Sequence, residues 1–214
     1  MDSNPILQEA VEILRKGGVI LYPTDTVWGI GCDATNEAAV ARVFEIKRRS
    51  EAKSLVLLAC DLDMVAKYIK QIPSIAIDLV EVNDAPMTII YPGAQYLAPN
   101  AVAADGSVGI RIPLVPEEEE EAEADAPRKG AAPRNDLTAG AFCRELVRRL
   151  RRPLVSTSAN ISGEPTPASF AEISEEIKAA VDFVVPKPFG AGASGRSSQI
   201  IKLGLDGEVQ ILRP

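Results

Sequence analysis

The chain has 214 residues, 46% apolar and 25% charged, with a formal net charge of −7 and no histidine. A Ser–His–Asp triad, a Cys–His pair, a histidine-ligated zinc and a histidine proton shuttle are therefore excluded. Any catalysis must run on carboxylates, lysine, arginine, hydroxyls, backbone groups or the substrate's own atoms, and the acidic balance argues against a general nucleic-acid binder.

The length suits one globular domain, 1–214. Cys32, Cys60 and Cys143 lie far apart with no CxxC pair, so a reduced, cytoplasmic protein without a disulfide framework or zinc ribbon is expected. The N-terminal MDSNPILQEA has no apolar core region and no apolar run reaches 18 residues, so neither a secretory leader nor a membrane span is expected.

In chain order, Ser3 and Asn4 before Pro5 predict a helix start. Ile6, Ala10, Ile13 and Leu14 continue it at helical spacing and Gly17-Gly18 stops it. Val19 to Tyr22 reads as a short buried strand ended by Pro23. Thr35 can cap a second helix that carries Ala39, Val40, Val43 and Phe44 on one face and ends at Lys47. Ser54 to Ala59 predicts a central strand, 62–70 and 74–82 two helices, Thr88 to Tyr91 and Ser107 to Ile112 two strands.

Between Pro116 and Asp136 the text holds six Glu and two Asp against three bases, and no aromatic or large aliphatic side chain. Such a segment cannot bury enough apolar area to offset its ordering entropy, so a disordered acidic insertion is expected, with a short solvated helix as the alternative. It holds −5 of the charge, leaving −2 for the rest.

Thr138 to Leu150 then predicts a helix with Phe142, Leu146 and Leu150 inward. Pro153 to Val155 predicts a strand running into Ser156-Thr-Ser-Ala-Asn160. Ser169 to Glu172 reads as a capping box opening a helix to about Ala180. Val181 to Val185 is a strand, 189–196 a flexible Gly/Ala loop, and Gln199–Leu203 with Val209–Leu212 a hairpin around Asp206-Gly207. Alternating helices and strands with an all-strand finish predict an α/β fold on a mixed sheet.

Six short stretches could carry chemistry. Tyr22-Pro-Thr-Asp-Thr-Val-Trp-Gly-Ile-Gly31 puts hydroxyls and glycines at a strand end, where α/β ligands lie; an ordinary turn is the other reading. Lys47-Arg48-Arg49 with Lys53 could cradle phosphates or simply complement a helix dipole. Ser156 to Asn160 is a dense hydroxyl and amide run after an apolar strand. Arg111 sits inside the apolar Val108-Gly-Ile-Arg-Ile-Pro113, so it requires a carboxylate from the protein or from a ligand. Ser197-Ser198-Gln-Ile-Ile and Leu212-Arg213-Pro214 are individually weak.

Together, in this order and at these distances, YPTDTVWGIG, IKRR with Lys53, VGIRIP, STSANISG, SSQII and ILRP resemble the YrdC/TsaC family, from about Gly17 to Pro214 apart from the acidic insertion. That resemblance implies an open, twisted mixed sheet with flanking helices around a concave basic cavity. It implies synthesis of L-threonylcarbamoyl-adenylate from L-threonine, bicarbonate and ATP with release of pyrophosphate, Mg²⁺ accompanying the phosphates. The product would serve threonylcarbamoylation of the tRNA adenosine next to the anticodon, with tRNA and its transfer machinery as partners and no membrane involvement.

Carried over position by position, the resemblance makes Lys47 and Arg49 catalytic. Both also bind ATP, together with Lys53, Ser107, Ser158, Asn160, Thr166 and Arg213. Thr24, Arg111, Ser156 and Ser198 bind threonine, and no residue is assigned to a metal. Departures from the family pattern are Asp84-Ala-Pro-Met-Thr88 for PGPxT, Leu58 where many members have histidine, Trp28 for tyrosine, and Ser198-Gln-Ile-Ile-Lys202 for the usual STIVD-like run. A second reading is a non-catalytic RNA-binding or ribosome-associated member. A third, a HypF-like carbamoyl-transfer domain, belongs to much longer chains with acylphosphatase and zinc-finger elements that this sequence lacks.

Overall fold

The computed structural model of the protein describes residues 4–49, 55–115, 137–186, 189 and 191–214. The acidic segment 116–136 and Lys53 lie outside them. The elements are α1 (Pro5–Arg15), β1 (Ile20–Tyr22), β2 (Gly29–Gly31), α2 (Glu37–Ile46), β3 (Val56–Leu58), α3 (Leu62–Tyr68) and α4 (Ser74–Glu81). They continue with β4 (Met87–Tyr91), β5 (Val108–Arg111), α5 (Ala139–Leu150), β6 (Leu154–Ser158), α6 (Glu175–Ala180), β7 (Phe183–Val184), β8 (Gln199–Leu203) and β9 (Val209–Arg213).

One mixed sheet of nine strands runs in the order β7-β1-β2-β6-β3-β5-β4-β8-β9, and the predicted central strand β3 is the fifth of the nine. The β1–β7, β3–β5 and β4–β8 pairs are parallel and the others antiparallel. Strand periodicity divides the apolar residues between two faces. Leu21, Ile30, Leu57, Ile89, Ile110 and Val155 pack with Ala39, Val40, Val43 and Phe44 of α2 and Val65 of α3. On the other face Ile20, Tyr22, Leu58 and Leu154 pack with Leu7, Ala10, Val11 and Leu14 of α1 and with Phe142, Leu146, Val147 and Leu150 of α5. Full burial of such side chains stabilises by about 1.5–3 kcal/mol each, so both helix layers are held by their apolar stripes.

Local chemistry explains most boundaries. Asn4 Oδ1 accepts from the N–H groups of Ile6 and Leu7, with Pro5 opening α1. Gly17, at φ 82°, ends α1 and lets Gly18 N–H reach Ile13 O. Three expectations need correction. Asn36, not Thr35, caps α2: it accepts from Ala39 N–H, while the Thr35 hydroxyl donates to Asp33 Oδ1. The Ser169–Glu172 box does not open the long helix: the Ser169 hydroxyl is spent on the Glu172 carboxylate, residues 170–172 form a single 3₁₀ turn, and Ser174 caps α6 instead. The strand expected over Val181–Val185 shrinks to Phe183–Val184: on one side the Asp182 carboxylate takes Val19 N–H in place of a backbone carbonyl, and on the other Pro23 and Pro186 have no N–H to continue the ladder.

At the N-terminus of α5, Gly140 lies so close to the preceding chain that a Cβ there would sit 1.8 Å from Leu114 O and 3.5 Å from Asp25 Cβ. Gly140→Ala must push the helix off that carbonyl. It is expected to lower unfolding free energy by about 1–3 kcal/mol, read as a reduced urea midpoint with an unchanged slope.

Candidate active site

Lys47 closes α2 as its C-cap, and its direction is set by the next residue. Arg48 has φ 48°, a left-handed backbone that reverses the chain, and Arg49 N–H bonds back to Phe44 O. The reversal points Arg48 outward, where it pairs with Glu176 at 2.5 Å, and turns Lys47 inward. The Lys47 side chain is 2% exposed, and its Nζ donates to the carbonyls of Ser158 and Asn160, the latter at 2.7 Å. Ser162 N–H in turn donates to Lys47 O at 2.9 Å. The cation of α2 thus ties down the turn that follows β6. Burial, aided by the nearby Arg49 charge, lowers its pKa to about 8. Arg49 is half-buried, and its pKa is lowered by the same loss of water.

Thr24 from the connection after β1, Ser156 from the middle of β6 and Arg111 from the end of β5 converge. A methyl group on Gly29 would lie 3.5 Å from both Ser156 Oγ and Thr24 Cγ2, so these two side chains flank the glycine. Thr24 Oγ1 donates to Val27 O at 2.7 Å and shares a 2.8 Å hydrogen bond with Thr26 Oγ1. Arg111 is 4% exposed; its Nη1 pairs with Asp25 Oδ1 and its Nη2 donates to Thr26 Oγ1 at 3.3 Å. The carboxylate that Arg111 requires is therefore one of the protein's own. Register sets Ser158 opposite Gly29, Ser156 opposite Val56, and Val56 opposite Gly109. Small side chains thus line one strip of the face that α5 leaves uncovered.

The last strands add a second cluster. Ser198 Oγ and Thr88 Oγ1, both buried, lie 2.8 Å apart, and Arg213 Nε donates to Ser198 O at 2.8 Å. Thr88 Cγ2 would be 3.2 Å from a Cβ on Gly109, two residues before Arg111. Ser107 immediately precedes the same strand; its hydroxyl donates to Asp105 Oδ1 at 2.5 Å. Asn160 Nδ2 donates to Ile161 O and Glu164 O, and its buried Oδ1 has no hydrogen-bond partner among the described residues. Thr166 is exposed on the turn beyond. Residues 191–196 are tied to the site by Ala139 N–H on Ala191 O and by the Ser194 and Gly195 N–H groups on the carbonyls of Asp25 and Thr26, each at 2.8 Å.

Fold and site have known counterparts. The Sua5/YciO/YrdC family model, described as telomere recombination, matches residues 12–120 and 136–214. The chain belongs to this family. A threonylcarbamoyl-AMP synthase of Xanthomonas campestris pv. campestris (strain B100) is 32% identical over 212 residues, spanning 94% of this chain and all of that protein. A Hahella chejuensis threonylcarbamoyl-AMP synthase is 28% identical over 84% of this chain and 85% of that protein. Among solved structures, P. abyssi Sua5 complexed with L-threonine has a TM-score of 0.74 at 24% identity; the alignment covers 92% of this chain and 50% of that one, so this chain spans about half its length. E. coli YciO has a TM-score of 0.72 at 22% identity over 99% of this chain and 89% of that one.

Within this Sua5/YciO/YrdC chain, Leu58 is fully buried in the apolar layer under α5, opposite Arg111 in register. A titratable ring there would lose that packing. Thr88, the residue kept from the altered Asp84–Thr88 stretch, is the partner of Ser198. Asp25 and Thr88 join these clusters without having been singled out from the sequence, whereas the Thr26 hydroxyl, like that of Thr24, was expected to offer a neutral hydrogen bond. Asp25 had a signal, since Arg111 demanded an acid, but nothing local says which of many acids supplies it. A depression of about 670 Å³ lined by Thr35, Asn36, Glu37, Asn100 and Arg152 opens at the far end of α2 and shares none of these residues.

Lys47 carries a pH signature. An unfolded lysine holds its proton to about 10.5, whereas folded Lys47 holds it only to about 8. Between these values the unfolded chain binds more protons, so this group makes stability rise with pH across that window. Below about pH 8 both states are protonated and the slope vanishes. In urea titrations, wild type is expected to gain up to roughly 3 kcal/mol on Lys47→Met between pH 7.5 and 10.5. A constant difference would assign Lys47 an ordinary pKa.

Proposed function

We propose that the protein is an L-threonylcarbamoyl-adenylate synthase. The observation that carries this reading is the convergence of Thr24, Ser156 and buried Arg111 on the strip beside the Lys47-bound Ser158–Asn160 turn, in a chain 32% identical over nearly its whole length to a threonylcarbamoyl-AMP synthase.

Arg111 offers remaining N–H groups to the threonine carboxylate, while Thr24, Ser156 and Ser198 supply hydrogen bonds around it. Lys47 and Arg49, with Lys53, Ser107, Ser158, Asn160, Thr166 and Arg213, receive ATP. Bicarbonate and the threonine amine form an N–C bond with loss of water, giving a carbamate. A carbamate oxygen then bonds to the α-phosphorus as the bond to the bridging oxygen breaks, and pyrophosphate leaves with that electron pair. All substrates are anionic or carry a carboxylate, so fixed cations and dipoles in a water-poor site are the means of catalysis. Lys47, with two N–H groups committed to carbonyls, has a third to direct at a phosphate oxygen.

Among the described residues no three His, Cys, Asp or Glu side chains gather to hold a metal. Mg²⁺ would accompany the nucleotide substrate as the counterion of its phosphates. Among the same residues no helix is long and apolar enough to cross a membrane, in keeping with the proposed cytoplasmic setting. The adenylate would pass to tRNA through a transferase partner.

Incubation with ATP, bicarbonate and L-threonine should release pyrophosphate only when threonine is present; threonine-independent or absent release from folded protein would reject the proposal. Lys47→Ala and Arg49→Ala should each cut turnover by about 100-fold or more, the scale expected for losing an oriented charge at the transition state.

A further inference from the structure

The mechanism above uses Arg111 but leaves its partner idle. Asp25 is 5% exposed and lies 86 residues before Arg111 in the chain. Its two oxygens are used differently: Oδ1 pairs with Arg111 Nη1, and Oδ2 accepts from Leu114 N–H at 3.1 Å. Its own carbonyl accepts from Ser194 N–H at 2.8 Å. The N-terminal turn of α5 abuts it, since a Cβ on Gly140 would lie 3.5 Å from Asp25 Cβ. The positive end of a 12-residue helix favours an anion at that place. The carboxylate is thus pinned before any ligand arrives.

A pinned acceptor fixes its donor. Arginine has five N–H groups in one plane. Asp25 takes one on Nη1 and Thr26 Oγ1 takes one on Nη2. Two anchors on different nitrogens set both the position and the tilt of the plane, and among the described residues Nε–H and one N–H on each Nη have no acceptor. A planar carboxylate binds such a fork strongly only when the two planes match, which a freely turning guanidinium would achieve only part of the time.

We infer that Asp25 is a positioning residue, which orients Arg111 to receive the carboxylate of the amino-acid substrate; this rests on the proposed function. The role predicts a selective defect. Asp25→Asn keeps the shape, but its amide cannot accept from both Arg111 and Leu114, so one anchor is lost. Asp25 also neutralises part of the Arg111 charge, and a residue acting only in that way would have the opposite effect, because its removal would strengthen carboxylate binding.

The test is the KM for L-threonine and the KM for ATP in pyrophosphate release, with ¹⁵N–¹H spectra of the arginine side chains. In Asp25→Asn, KM for threonine should rise about tenfold or more, the scale of one charge-assisted hydrogen bond. KM for ATP should stay within about twofold, and the slowly exchanging Nη signals of Arg111 should broaden away. Equal rises in both KM values, no change, or a fall in the threonine KM would overturn the assignment. If Asp25→Asn does not fold, Thr26→Val removes the other anchor, and the same threonine-selective rise is required of it. If wild type shows no threonine-dependent turnover, the functional reading fails on its own; Arg111 signals that are sharp in wild type and lost in the variant would still establish that Asp25 holds the guanidinium, and unchanged signals would refute it.

Discussion

A guanidinium cannot be left alone inside an apolar strand. Burying Arg111 at the end of β5 demands a counter-charge, and removing either partner of such a pair commonly costs several kcal/mol because the other stays buried and uncompensated. Asp25 meets that demand from the connection between β1 and β2. Much else follows from bringing these two together. The β1–β2 connection must lie against the end of β5, the chain after β5 must offer Leu114 N–H, and α5 must begin with a residue as small as Gly140. The carbonyls of Asp25 and Thr26 are then free to anchor residues 191–196. A single electrostatic requirement joins four segments distant in sequence and leaves them around one strip of the sheet.

Lys47 solves a similar problem by other means. Among the described residues no carboxylate pairs with its buried ammonium, and the carbonyls of Ser158, at the end of β6, and of Asn160 beyond it stand in for water. Dipoles compensate a charge less fully than an opposite charge does, which is why this lysine holds its proton weakly. The two buried cations therefore have distinct characters. Arg111 is locked by a protein anion, whereas Lys47 is held by the carbonyl dipoles of Ser158 and Asn160.

Much of this was readable from sequence wherever the deciding interaction is local. Asn4 before Pro5, the α2 stripe of Ala39, Val40, Val43 and Phe44, and the β8–β9 hairpin around Asp206-Gly207 all took the expected form. The family resemblance supplied the candidate site residues, and the fold gathers three of them, Thr24, Ser156 and Arg111. What escaped depended on partners far away or on competition between near equals. Thr35 and Asn36 are both good caps, and only Asp33, which claims the threonine hydroxyl, decides between them. Ser169 and Ser174 compete in the same way, with Glu172 claiming the first. The left-handed turn at Arg48 bears no glycine to announce it, so the inward course of Lys47 could not be read from the order of bases.

The β9 strand has a further consequence. All five of its residues are exposed, among the described residues it pairs with β8 alone, and a register shift interrupts that pairing near Arg213. Strands with so little buried area open at low free-energy cost, well below that of global unfolding. Arg213, which fastens β9 to Ser198 through Nε, is thus held by the least protected element of the sheet. Amide exchange should run fastest there, and on the nucleotide-binding role proposed for Arg213 it should slow when ATP is added, making this margin of the sheet a reporter of occupancy while β3 and β6 stay silent at its centre.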